Sequence, residues 1–258
     1  MSLTPLPALT DNYIWLLADD AGNALVVDPG EAAPALAALR AKDLRLSAIL
    51  LTHHHPDHIG GIDELLERYP DARVYAPHDE RIAPVTHRVG DGDRIELHAP
   101  HAAFEVIEVP GHTRTHIAYF GEGLLFCGDT LFSLGCGRLF EGTPAQMLGS
   151  LDRLAALPGD TRVCCGHEYT LANAAFARRV DPGNRALCLR EERAHTLRKA
   201  GEPTLPSSIN EERAANPFLR VDVLRKDAFP ADAPMPKDTR DRVARFAALR
   251  AAKDVWVG

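Results

Sequence analysis

The chain has 258 residues, 45% hydrophobic and 25% charged, which suits a globular protein large enough for one big domain or two unequal ones. Its net charge of −7 is unevenly spread: residues 1–170 carry 12 Lys and Arg against 24 Asp and Glu, residues 171–258 carry 17 against 12. An acidic body suits divalent cations and argues against a nucleic-acid groove there, and no apolar run approaches the ~20 residues of a membrane span.

In chain order, β-rich runs bounded by turn residues predict strands over Tyr13–Leu17, Ala24–Val27, Leu46–Leu51 and Val74–Ala76. More follow at Arg94–Leu97, Ala103–Val109, Ile117–Phe120, Leu124–Cys127 and Val163–Cys165. Helical patterns fall between them at Ala32–Lys42, Gly61–Tyr69 and Pro144–Ala156. This is an α/β arrangement with hairpins rather than a strict βαβ succession. Beyond residue 170 the pattern turns helical: Leu171–Val180, Arg185–Ala200, Glu211–Asn216 and Thr239–Val255, with a Pro-rich stretch at Pro230–Lys237. Two domains are expected, 1–170 and a smaller all-α 171–258. The N-terminus MSLTPLPALTDNY shows no secretory pattern. The five cysteines form no CxxC pair and read as reduced thiols, so a cytoplasmic protein is expected.

The chemistry is concentrated in LLTHHHPDHIGG, Leu50 to Gly61, where four of twelve histidines fall within six residues. Packed imidazoles repel when charged, and a divalent ion removes the conflict by taking neutral nitrogens together with a carboxylate. Alternation at the strand exit sends His53 and His55 to one side and His54 to the other. So short a segment serves two neighbouring ions more readily than one: His53 and His55 for the first, Asp57 and His58 for the second. Three later strand ends supply further ligands, His112 in PGHTRTH, Asp129 in LLFCGDT and His167 in VCCGHEY. Asp129, with two oxygens, suits a bridging place. His116 is expected to make an outer hydrogen bond, and Asp28 in VVDPG is a candidate for orienting a ligand histidine.

The THxHxDH pattern with later His, Asp and His resembles the metallo-β-lactamase superfamily over roughly residues 10–170. The segments GDTLFSLGCGRLFEGT and CGHEYT, followed by a helical tail ending LRAAKDVWVG, resemble the glyoxalase II (hydroxyacylglutathione hydrolase) family over essentially the whole chain. The resemblance implies an αβ/βα four-layer sandwich with a helical C-terminal domain. It also implies two divalent ions, zinc first with iron or manganese as alternatives. His53, His55 and His112 would hold one ion and Asp57, His58 and His167 the other, with Asp129 between them. It places glutathione contacts on Arg138, Tyr169, Arg250 and Lys253, and on Phe140, where many animal members carry Tyr. Members often have Gly where Thr115 stands.

The implied reaction is hydrolysis of S-D-lactoylglutathione to D-lactate and glutathione, the second step of methylglyoxal detoxification. A water shared by two ions has its pKa lowered from ~15.7 towards ~7, so hydroxide is the expected nucleophile, and Asp57 and Asp129 at most relay a proton. Read without the resemblance, Arg250 and Lys253 form a solvated stripe away from Val243, Phe246 and Ala247; with it they form a cationic clamp for a carboxylate. A mononuclear iron persulfide dioxygenase acting on glutathione persulfide is the rival, and a non-catalytic metal-binding protein a more distant one. Both ligand sets are complete, which favours hydrolysis. A small-molecule thioester, a monomer and no nucleic-acid or membrane partner are expected.

Overall fold

The structure is a computed structural model describing residues 1–225, 229 and 241–256. The chain divides into two compact units. The first comprises Met1–Glu108, Thr115–Gly128 and Cys164–His167; the second comprises Val109–Arg114, Asp129–Val163 and Glu168–Gly258.

The first unit is built on two sheets. One has the order β1 (Ser2–Ala8), β2 (Asn12–Ala18), β3 (Asn23–Val27), β4 (Arg45–Leu50), β5 (Arg73–Pro77) and β6 (His87–Val89). The first three strands are antiparallel and the remainder parallel. Strand β1, absent from the sequence reading, contains Pro5 and Pro7 and lies at the sheet edge. Proline cannot donate to a ladder, so an edge is where such a strand is tolerated. The seven residues of β2 are all buried, as expected for a strand covered on both faces. Ile14 and Leu16 join a cluster with Leu39 of α1 (Ala33–Ala41) and Leu65 of α3 (Ile62–Arg68). Trp15 points the other way and donates its indole N–H to the Cys165 carbonyl at 2.9 Å. Each fully buried Leu or Ile contributes about 1.5–3 kcal/mol.

The second sheet runs, within this unit, β10 (Leu124–Gly128), β9 (Ile117–Gly121), β8 (His101–Glu108) and β7 (Arg94–His98), each antiparallel to the next; in the second unit Arg162 and Val163 of β13 (Arg162–Cys165) pair antiparallel with β14 (Ser207–Ser208). Tyr119 of β9, fully buried, donates its hydroxyl to the Leu51 carbonyl at 2.8 Å, tying this sheet to the exit of β4. The expected two-sheet α/β architecture is therefore present.

The second unit carries a small hairpin, β11 (Leu131–Phe132) and β12 (Gly135–Cys136), and α4 (Pro144–Ala155). Helices α5 (Thr170–Val180), α6 (Arg185–Lys199), α7 (Ile209–Ala215) and α8 (Arg242–Asp254) complete it. Thr143 and Gln146 close a capping box on α4, and Ser208 and Glu211 do the same for α7. Phe176, Phe218 and Phe246 pack in succession, with ring centroids 6.2 and 5.9 Å apart. The helical character expected of 171–258 holds among the described residues. The predicted helix start at Thr239 and the stretch Pro230–Lys237 lie outside them.

The face of α8 differs from its expectation. Val243 is exposed, whereas Arg245, Phe246, Leu249 and Arg250 are buried. The solvated-stripe reading of Arg250 is thereby corrected: its guanidinium lies over the Phe218 ring at 5.2 Å, and Nη1 donates to the Cys136 carbonyl at 2.8 Å.

Candidate metal centre

The histidine segment leaves β4 in extended form and turns at Pro56 into a one-turn helix, α2 (Pro56–Ile59). Proline at the first helical position supplies a preset φ where its missing N–H costs nothing. Gly30 makes room for the turn, since a Cβ there would lie 1.9 Å from the Asp57 carbonyl oxygen. Gly128, at φ +45°, leaves space for Thr52 and His116; a Cβ would lie 2.3 Å from Thr52 Oγ1. Both positions require glycine for close approach.

In the first unit the side-chain geometry fixes the imidazole tautomers. Buried Asp28 accepts from the Thr52 N–H at 2.8 Å, from the Thr52 hydroxyl at 2.7 Å and from His58 Nδ1 at 3.0 Å. The Thr52 proton is thus committed to Asp28, and its oxygen accepts from His53 Nδ1 at 3.0 Å. Asp11 accepts from His167 Nδ1 at 2.7 Å. With the Nδ1 positions of His53, His58 and His167 donating, their Nε2 atoms carry lone pairs. Two of these lone pairs face a carboxylate oxygen: Asp57 Oδ2 is 3.5 Å from His58 Nε2 and 3.4 Å from His167 Nε2, while His53 Nε2 lies within hydrogen-bond distance of His55 Nδ1, at 3.1 Å. Asp57, His58 and His167 offer ligand atoms all within 4.8 Å of one another. Converging lone pairs and a carboxylate form the donor set that a divalent ion takes, so these residues fit a metal.

The outer positions are as informative. Asn12 donates its amide to Asp57 Oδ2 at 3.0 Å and to the Asp57 carbonyl at 3.1 Å. His116 is fully buried, stacks on His53 at 4.5 Å and donates Nδ1 to the Ile117 carbonyl at 3.0 Å. Asp28 orients a histidine, His58. His54 Nδ1 lies 3.6 Å from Asp79 Oδ2, and its ring meets the His55 ring edge-on at 4.8 Å. The bidentate Arg81 guanidinium, together with the Thr115 hydroxyl, holds the Asp79 carboxyl well below the usual range.

The second unit holds the remaining candidates. His112 donates Nδ1 to the Arg138 carbonyl at 2.8 Å, which leaves Nε2 3.4 Å from Asp129 Oδ2. The Phe140 ring, exposed, meets the His112 ring edge-on at 5.2 Å, and the Tyr169 ring meets Phe132 at 5.3 Å. Arg138 donates to Asp254 through Nε at 3.2 Å to the carboxylate and Nη2 at 3.1 Å to the carbonyl. Arg250 Nη2 reaches the same carboxylate oxygen at 3.1 Å. Lys253 lies 5.2 Å from the Phe176 ring centroid and donates to the Ala172 carbonyl at 3.3 Å. Burial, aided by the Arg250 charge, pulls its amine down to about 8, while burial pushes the Cys136 thiol up to about 11. Sequence reasoning missed Asp11, Asn12, Thr52 and Asp254. Asp11-Asn12 reads only as turn chemistry, and its partner His167 lies 156 residues away.

Comparison with known proteins agrees with this geometry. A model of the metallo-beta-lactamase superfamily matches residues 9–167, and a model of the hydroxyacylglutathione hydrolase C-terminus matches residues 168–256. The chain is 57% identical over 250 residues to the hydroxyacylglutathione hydrolase of Xylella fastidiosa (strain M12), covering 97% of this chain and 95% of that one. It is 54% identical over 256 residues to that of Xanthomonas campestris pv. campestris (strain B100), covering 99% of each. Among solved structures, ETHE1 from Myxococcus xanthus is similar over 98% of both chains, with TM-score 0.66 at 25% identity. The chain belongs to the hydroxyacylglutathione hydrolase family of the metallo-β-lactamase superfamily.

Proposed function

We propose that the chain hydrolyses S-2-hydroxyacylglutathione thioesters, S-D-lactoylglutathione among them, to the 2-hydroxy acid and glutathione. The observation that carries the chemistry is the His–Asp donor set, whose Nδ1 atoms are committed to Asp28, Asp11 and Thr52 while lone pairs converge on the inside. Residues 1–170 are the catalytic part and 171–258 the substrate-binding part of this reading. Two divalent ions, zinc or else iron or manganese, would be held by His53, His55 and His112 and by Asp57, His58 and His167, with Asp129 available to both. Neutral imidazoles and carboxylates suit all three metals. The ions, when bound, supply Lewis acidity at the thioester carbonyl and lower the pKa of a coordinated water.

The chain's own residues do the remainder. Asp28 and Asp11 keep His58 and His167 in the tautomer that presents Nε2, and Asn12 fixes Asp57. Arg138, Arg250 and Lys253 hold glutathione carboxylates; Phe140 gives apolar contact and Tyr169 a ring face. The leaving thiolate, whose parent thiol has a pKa of about 8.5, departs with little need for a general acid, in keeping with the absence of any assigned one. In this reading the substrate is a small molecule met in the cytoplasm by a monomer; no helix among the described residues is long and apolar enough to cross a membrane.

The test is anaerobic incubation of metal-analysed protein with S-D-lactoylglutathione, following thioester absorbance and D-lactate release. Turnover with about two ions per chain is the expected result. No turnover at that loading overturns the substrate assignment, and oxygen-dependent consumption of glutathione persulfide instead transfers it to the dioxygenase class.

A further inference from the structure

One buried acid in the second unit has no part in the metal or substrate contacts described above. Glu212 lies in the first turn of α7 beside Glu211, which closes that helix's capping box, but Glu212 turns inward and is wholly buried. Its Oε2 accepts from the Leu134 N–H at 2.8 Å and from the Asn216 amide at 3.0 Å. Burial pushes its carboxyl up, while the Leu134 N–H, the Ser207 hydroxyl and the charge of Arg190 pull the other way. Arg190, itself buried, donates Nη2 to the Ser133 hydroxyl at 3.0 Å and to the Thr204 carbonyl at 2.8 Å. The Asn216 amide also donates to the Phe132 carbonyl at 3.1 Å and the Gly135 carbonyl at 2.9 Å. Between them Glu212, Arg190 and Asn216 reach Phe132, Ser133, Leu134 and Gly135, the turn between β11 and β12.

That turn needs holding. Leu134 sits at φ +61°, in the left-handed region that non-glycine residues rarely enter without an enforcing environment. A fully buried carboxyl group carries a desolvation cost, and at Glu212 the directed hydrogen bonds from Leu134 and Asn216 offset part of it. The two ends of the hairpin carry the residues that matter: Asp129 precedes it and Arg138 follows it. Gly137 donates to the Thr130 carbonyl at 3.1 Å and packs so closely on Asp129 that a Cβ would lie 1.9 Å from its carbonyl oxygen. A shift of the hairpin therefore moves Asp129 and Arg138 together.

We propose that Glu212, backed by Arg190 and Asn216, is a positioning residue that fixes the Leu131–Cys136 hairpin and thereby sets Asp129 and Arg138 for the reaction. The kinetic part of this inference rests on the functional reading above; its other readouts do not. Three variants, Glu212→Ala, Glu212→Gln and Asn216→Ala, are compared with the wild type by circular dichroism, amide exchange in residues 131–137, bound metal per chain, and kcat and KM for S-D-lactoylglutathione. Glu212→Ala, folded, is expected to speed exchange in 131–137, to lower bound metal, and to lose about 10–100-fold in kcat/KM, the range typical of supporting partners. KM rises as kcat falls, because both ends of the hairpin move; a merely less stable protein lowers apparent kcat at constant KM. Glu212→Gln keeps an acceptor for the Leu134 N–H and is expected within about threefold of wild type, on the scale of one retained hydrogen bond.

Folded Glu212→Ala with unchanged exchange, metal and KM overturns the proposal, as does Gln proving as damaging as Ala. If Glu212→Ala does not fold, Asn216→Ala decides: faster exchange in 131–137 with raised KM supports the role, and unaltered values overturn it. A wild type inactive on the thioester sinks the functional reading alone, because exchange and metal content still distinguish the variants.

Discussion

The histidine segment of the first unit and the cationic groups of the second are held by opposite means. His58 and His167 each give a ring proton to a carboxylate, Asp28 at 3.0 Å and Asp11 at 2.7 Å. Arg250 and Lys253 give theirs to backbone carbonyls and lie against aromatic rings. A metal ligand must keep one tautomer and one direction, and an ionic acceptor enforces both. In the proposed reading these cations exchange partners with a substrate carboxylate in every cycle, and the neutral carbonyls among their present partners ease that exchange. Asp254, shared by Arg138 and Arg250, is the one carboxylate among the contacts described for these cations. It occupies the place a substrate carboxylate would take in the proposed reading.

The largest expected effect comes from a proposed ligand itself. Asp129→Ala loses activity and metal together, by about a thousandfold in kcat/KM, beyond the 10–100-fold typical of outer partners; full activity at unchanged metal content would remove it from the bridging role. Next, Asp28→Ala strips acceptors from Thr52 and His58 and is expected to weaken metal binding by about 10–100-fold, measured by competition with a chelator. Unchanged affinity would show that the ionic acceptor is not what distinguishes this region. Arg250→Ala combined with Lys253→Ala is expected to raise KM by about tenfold or more, the scale of charge-assisted hydrogen bonds, while metal content stays constant.

The pH dependence sharpens the same contrast. The Lys253 amine, pulled down to about 8 by burial, is cationic below that pH and neutral above it. KM for the anionic thioester is therefore expected to rise between about pH 7 and about pH 9, and Lys253→Met to flatten that rise. A wild-type KM constant over this range removes Lys253 from the clamp. The smallest effect is expected at His54, whose Nδ1 faces Asp79 at 3.6 Å and which shares none of the three-residue donor groups of the other histidines. His54→Ala should retain its metals, with kcat/KM within about twofold of wild type, as for a substitution away from the chemistry; loss of an ion would show that the alternation along residues 53–55 was misassigned.

Legibility followed the range over which each signal acts. The histidine cluster was readable because four imidazoles and a carboxylate lie within six residues, and strand-end alternation is what sets His54 apart from His53 and His55 in the proposed assignment. Most strands were readable from apolar runs, but β1 was not, because its two prolines argue against a strand everywhere except at an edge, and edge position is a property of the sheet. The hairpin β11–β12 has only two residues in each strand, too few for periodicity. Without the resemblance Arg250 reads as solvated, because a charge on a helix is normally exposed; the Phe218 ring and the Cys136 carbonyl that bury it come from other parts of the chain.

The sequence by itself determined the donor types, their order at successive strand ends and the change from sheet to helix near residue 170, because these depend on local periodicity, turn chemistry and the identities of adjacent side chains. The tertiary structure alone decided which acid holds which imidazole, which cations are buried, and that Glu212 rather than its neighbour Glu211 reaches the Leu134 turn. Those outcomes depend on partners tens to more than a hundred residues apart, and hydrogen-bond direction between distant segments leaves no trace in the spacing of either one.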